Sequence, residues 1–283
     1  MKSIFVSFMI LLSIVLLLPG TVIGKTEPPM KVMTNVIIPD GEFLHYGLYN
    51  GQDKTMDYYY TTKIVTNNKS GFYYKIYFDI IPVKGKHKLA ARYTDWPITM
   101  LVDSVSAQVI ETEGTLDTNC LKDFESLGVG DIVYWHSQFV KEESLFKYMS
   151  RSYKDGNSST RSYRIKVNTA YPLMDMFSQD FISERLVDPT SKGIMYWVIP
   201  DFMKEPMAMT FKTDHKIQTI TSKAGTFRVY KIVMYVGDRF LAKLAESMLK
   251  NNVCFVEESP RHLMIKTSAM GSDEILEEVS VVK

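Results

Sequence analysis

The sequence predicts a mainly β fold, a single curved antiparallel sheet or open barrel with two amphipathic helices packed on it. Three observations carry this expectation. Short runs rich in Tyr, Phe, Val and Ile recur along the chain between clusters of turn-forming residues. The stretch Gly225-Thr226-Phe227-Arg228-Val229-Tyr230-Lys231-Ile232-Val233-Met234-Tyr235-Val236-Gly237 is mostly apolar on both of its alternating sets, as expected of a strand covered on both faces. Two segments carry helical stripes instead: Phe240, Leu241, Leu244, Ala245, Met248 and Leu249, and Leu173, Met174, Phe177, Phe181, Ile182 and Leu186 after Pro172.

In chain order, the first feature is an export signal. Lys2 precedes the apolar run Ile4 to Leu18, Pro19-Gly20 breaks it, and Val22-Ile23-Gly24 places compact residues where a signal peptidase reads. The expected division is a signal peptide over residues 1–24, a leader segment over 25–40 and one β-rich domain over 41–283. The same run is also long enough for an uncleaved anchor, and that alternative stays open. After cleavage no stretch would be apolar enough to span a bilayer as a helix.

Strands are expected over 41–49, 56–65 and 72–81. In the last of these Phe72, Tyr74, Ile76, Phe78 and Ile80 face one way, and Lys75, Tyr77 and Asp79 the other. A further strand is read over 102–111. Asn119 can cap a short helix from Cys120 to Leu127. Strands return over 131–140, 145–153 and 160–167, the last two flanking the hairpin signal Asp155-Gly156-Asn157. Two half-units could meet near 155–160. Beyond the Pro172 to Leu186 helix, strands are expected over 194–199, 207–212, 216–221, 253–257, 261–267 and 274–282.

A chain of 283 residues with 46% apolar content can bury a substantial core, and a net charge of +1 lacks the clustered basic surface that nucleic-acid binding needs. Export permits a disulfide between Cys120 and Cys254; equally, Cys254 fits the apolar run Val253 to Val256 as a buried thiol. The histidines His45, His87, His136, His215 and His262 are scattered, with no local metal-ligand spacing. No nucleophile elbow or phosphate-cradling loop is present in the sequence. These features imply no cofactor, no metal and no local catalytic motif, although a triad assembled from distant residues is defined by geometry alone.

The Gly41-Glu42 strand opening, the helix after Pro172, the Gly225 to Lys231 strand, and Ser259-Pro260-Arg261-His262-Leu263-Met264-Ile265-Lys266 followed by Gly271 and Glu274 to Glu278 resemble the exported bacterial family catalogued as domain of unknown function 3108. Where that family often shows Pro-Val-Arg-Ile, this chain has Leu263-Met264-Ile265-Lys266. The resemblance implies a periplasmic or outer-envelope location and a curved open sheet similar to lipoprotein-carrier half-barrels. It implies no established activity and no catalytic residue.

The leading functional expectation is thus a non-enzymatic envelope protein whose β cradle holds a lipid-like or other apolar molecule. Tyr74, Ile76, Phe78, Met207, Met209, Phe211 and Tyr235 are its candidate lining, since aromatic and Met side chains adapt to irregular apolar ligands. The same residues would equally serve as ordinary core. Two alternatives stand beside the cradle: an assembly protein with a closed core whose partner is another envelope protein, and a hydrolase with a non-local site.

Overall fold

The computed structural model of the protein describes residues 27–67, 71–84, 88–115, 132–154, 157–175, 177–178, 181–198, 205–236, 253–269 and 272–282. Within them the chain forms β1 (Glu42–Asn50), β2 (Asp53–Asn67), β3 (Gly71–Pro82), β4 (Ile98–Asp103), β5 (Gln108–Thr115), β6 (Ile132–Val140), β7 (Leu145–Lys154) and β8 (Asn157–Lys166). It continues through β9 (Leu173–Asp175), β10 (Met195–Val198), β11 (Met207–Ser222), β12 (Gly225–Val236), β13 (Val253–Glu257), β14 (Met264–Ala269) and β15 (Ser272–Val281).

The sheet is closed, not open. The order β4-β3-β2-β1-β15-β14-β13-β12-β11-β10-β9-β5 returns on itself because β5 also pairs with β4, making a twelve-strand barrel. First and last strands meet in it, Glu42 opposite Val281 and Asn50 opposite Ser272. β5 branches. Its first residue, Gln108, pairs in parallel with Leu173 of β9, while Glu111 to Thr115 pair with β6, so that β6, β7 and β8 leave the barrel as a flange.

Closure depends on a turn that carries little sequence signal. The single strand expected over 102–111 is two strands, β4 and β5, joined at 104–107. Asp103 Oδ1 accepts from the backbone N–H groups of Val105 and Ser106 at 2.8 and 2.9 Å, an aspartate turn. Its left-handed position, φ 51°, is taken by Ala107, where Gly or Asn is usual.

Twelve strands enclose more space than their own side chains fill, since a barrel of about eight is the size at which side chains alone suffice. The extra space is taken by a π-helical turn, Phe181–Leu186, all six residues of which are buried. Phe181 meets Tyr74 of β3 edge to face at 5.4 Å, Arg185 bonds Glu42 of β1, and Glu184 Oε1 lies 2.8 Å from Cys254 Sγ of β13. This turn is a plug anchored on three strands. Residues 28–33 run beside its exit: Met30 N–H donates to Ile194 O and Met33 N–H to Leu186 O, at 2.8 and 2.9 Å.

The two-helix expectation is corrected here. Pro172 to Leu186 is not one helix but β9, a tight turn and the plug. The cause is Asp175, whose Oδ1 accepts from Phe177 N–H, Ser178 N–H and Ser178 Oγ at 3.1, 2.8 and 2.7 Å, which breaks any helix at that point. The stripe's apolar residues are buried except for the half-buried Phe177, but they are divided among β9, the turn and the plug and form no single helical face over a sheet. The segments 120–127 and 240–250 lie outside the described residues. β12 is buried at Val229, Ile232 and Tyr235, whereas Arg228 stands exposed and pairs with Glu258 at 2.8 Å.

Candidate functional site

The residues expected to line a cradle divide between two walls. On β3, Tyr74, Ile76 and Phe78 are buried in one inward row, as their alternation predicts, with Phe78 stacked on Tyr60 at 4.4 Å. Met207 and Met209 are buried on β11, which stands roughly opposite β3 in the ring, and Phe211 is half-buried two residues on. Tyr235 is different. It pairs with Thr210, whereas Met209 pairs with Val236 and Phe211 with Met234, so Tyr235 belongs to the other face of the wall. The plug packs on the β3 wall, Phe181 against Tyr74.

The plug makes the lumen polar at one point. Arg185 donates through Nη1 and Nη2 to the two oxygens of Glu42, the second bond at 3.2 Å, and through Nη2 to Arg261 O at 3.0 Å. Both partners are almost fully enclosed, Arg185 at 3% exposure and Glu42 at 1%. Burial pushes the nearby Tyr46 phenol well up, so it stays protonated.

Open space is found where the plug leaves the barrel. A cavity of about 290 Å³ is bounded by Met33, Pro189 and Tyr230 on its apolar side, and by Lys31, Thr34, Asn35, Asp188, Thr190 and His262 on its polar side. Tyr230 reaches it from β12. His262 reaches it from the β13 to β14 connection, in a left-handed conformation with φ 46°. Its Nδ1 is buried and has no hydrogen-bond partner among the described residues. Burial, and then the charge of Arg185, lower the imidazole pKa below its usual value, so it is neutral at pH 7. Asp188 is committed to its own turn, accepting from Thr190 N–H and Oγ1 at 2.9 and 2.7 Å.

A second polar group stands on the outer wall, where β2, β1 and β15 run side by side. His45 Nε2 lies 2.5 Å from Asp57 Oδ1 and 3.6 Å from Glu277 Oε2. Lys54 bonds both carboxylates, reaching Glu277 Oε2 at 2.7 Å, and Lys223 reaches Glu277 Oε1 at 2.6 Å alongside the Tyr49 hydroxyl. Two register shifts frame this group, one between His45 and Tyr46 against β15 and one between Leu48 and Tyr49 against β2. The first makes Glu277 the extra residue of a bulge, which turns its side chain outward to His45. Burial alone would raise the Glu277 carboxyl, but the bonds from Lys223, Lys54 and Tyr49 outweigh it and hold it at about 2.

Local spacing could not have found either group. His45 and Glu277 are 232 positions apart, and His262 shares its cavity with the almost equally distant Lys31. Of the other histidines, His136 pairs with Glu111 at 2.8 Å. The proposed disulfide involves Cys120, which lies outside the described residues.

No family model matches the chain, so the expected membership of the family of unknown function is not supported, and no curated protein matches it either. Among solved structures, it is similar to a Bacteroides fragilis protein described as exported and YmcC-like in fold. That similarity has a TM-score of 0.36 and 11% identity, over 90% of this chain and 99% of that one. It is also similar to a Parabacteroides distasonis protein described as a lipoprotein, with a TM-score of 0.33 and 12% identity over 90% of this chain and 100% of the other. At such scores neither lends this chain a role.

Proposed function

We propose that this chain is an exported envelope protein that works by binding, and that it takes a small amphipathic molecule where the plug leaves the barrel. The observation that carries the reading is the cavity itself. Its size is near the lower end of small-molecule sites, and it combines an apolar side with a few polar groups, the usual composition of such sites. Tyr230, Met33 and Pro189 would cover the apolar part of the ligand. Lys31, Asn35 and the neutral His262 would receive its polar end, with the Nδ1 of His262 gaining the partner it lacks among the described residues. Export is supported by Lys2, the apolar run Ile4 to Leu18 and the compact residues 22–24. The lipid-carrier expectation is thereby moved from the inner face of β3, where Phe181 of the plug packs on Tyr74, to the mouth.

The test is native mass spectrometry of the chain purified from cells that export it, with titration of a fluorescent fatty-acid probe. A copurifying small molecule, or saturable probe binding weakened by Tyr230→Ala at unchanged melting temperature, is the expected result. Absence of both an adduct and probe uptake would overturn the proposal.

A further inference from the structure

The outer-wall group of His45, Asp57 and Glu277 has no part in that reading, and it gathers three side chains that can each offer a metal ligand. We propose that these three side chains bind one first-row divalent cation, Zn²⁺ being the best fit, at the place the Lys54 ammonium takes in this structure.

Three observations support it. The first is the donor set and its spacing. One imidazole nitrogen and two carboxylate oxygens all lie within 4.8 Å of one another. Tetrahedral zinc, with bonds of about 2.0–2.1 Å, needs its ligand atoms roughly 3.4 Å apart. The 3.6 Å between His45 Nε2 and Glu277 Oε2 already meets that figure. The 2.5 Å between His45 and Asp57 must open by about 1 Å, a side-chain rotation. A nitrogen in the set disfavours Ca²⁺ and Mg²⁺, and the lack of thiolate disfavours Cu⁺.

The second observation is that the ligands are held from behind. The His45 ring stacks on Tyr59 at 4.5 Å and 13°. Glu277 Oε1 is taken by Tyr49 and Lys223, which leaves Oε2 turned to His45. Outer partners of this kind orient ligands in metal sites. Room for the arrangement comes from Gly47, where a Cβ would fall 2.8 Å from Glu277 Oε1 and 2.9 Å from Lys54 Cε.

The third is Lys54 itself. Its single positive charge sits against both carboxylates while the ligands are at most 16% exposed, so the group is built around a cation. A divalent ion would exchange with the ammonium, which swings out to solvent. Affinity is then set by competition with Lys54, and three protein ligands leave a fourth position for water.

The test is isothermal titration of Zn²⁺ into the chelator-treated, full mature chain. One equivalent is expected to bind, His45→Ala should weaken it at least tenfold, and Lys54→Met, which keeps the stem and removes the charge, should tighten it at least tenfold. His136→Ala should leave it unchanged, since His136 and Glu111 make only a two-ligand pair. The absence of saturable one-to-one binding in both the wild type and Lys54→Met would overturn the proposal, as would binding unaffected by His45→Ala. The Lys54→Met arm keeps the test decisive if His45→Ala fails to fold.

Discussion

Arg185 and Glu42, 143 positions apart, form a two-bonded ion pair inside the barrel, the plug gripping the first strand. Burying two charges is costly, and their attraction repays that cost only while both remain, so removing one leaves the other stranded. Arg185→Met and Glu42→Gln should each cost about 3–5 kcal/mol in urea unfolding. The double change Glu42→Leu with Arg185→Met should recover most of that loss. Single variants as stable as the wild type would show that the plug is held by packing alone.

His262 gives stability a pH dependence. Its folded pKa is lowered, first by burial and then by Arg185, so below about 6.5 the unfolded chain binds a proton that the folded chain refuses. That contribution is present above the unfolded pKa and is lost as pH falls toward the folded one. Wild type should therefore lose more stability between pH 7 and pH 5 than His262→Asn, a substitution that tolerates the left-handed φ. Parallel curves for the two proteins would refute a buried neutral imidazole at the mouth.

Asp175 is the residue that converts an expected helix into strand, turn and plug. Its Oδ1 holds three donors and its Oδ2 accepts from Ser137 Oγ on β6 at 3.1 Å, all buried but for the half-buried bond from Phe177 N–H. Asp175→Ala strands the two backbone N–H groups and should cost more than about 2 kcal/mol. Ser137→Ala removes only the last bond and should cost about 1 kcal/mol. Equal effects from both changes would place the importance of Asp175 in its tie to β6 and not in the turn.

The β character, most of the strands and the inward row Tyr74, Ile76 and Phe78 were legible because strand alternation is a local property, although the one strand β11 was expected as two, over 207–212 and 216–221. Barrel closure was not. It rests on β4 meeting β5 across a turn whose left-handed residue is Ala107, and on β1 pairing with β15, neither of which periodicity encodes. The Leu173 to Leu186 stripe misled because apolar residues at helical spacing satisfy a lumen plug as readily as a helix on a sheet, and the deciding signal was the Asp175-x-x-Ser178 turn. The outer-wall group escaped for another reason: its third member comes from a bulge at Glu277, and a bulge leaves no composition cue.

Gly114 and Trp135 make the flange possible, and they make a prediction of their own. The two residues are cross-strand partners on β5 and β6, and the indole lies so low over the glycine that an added Cβ would fall 1.9 Å from its Cζ2. Trp135 is held there from the other side by Phe177, stacked at 4.3 Å and 11°. It can neither rise nor slide without breaking that stack. Gly114→Ala should therefore cost about 1–3 kcal/mol and change the near-ultraviolet circular dichroism of the tryptophans. In a Trp135→Phe background, where the smaller ring leaves room for a methyl group, the same alanine should cost measurably less. If the alanine costs the same in both backgrounds, the loss comes from the strand backbone, and the indole over Gly114 is not what joins the flange to the barrel.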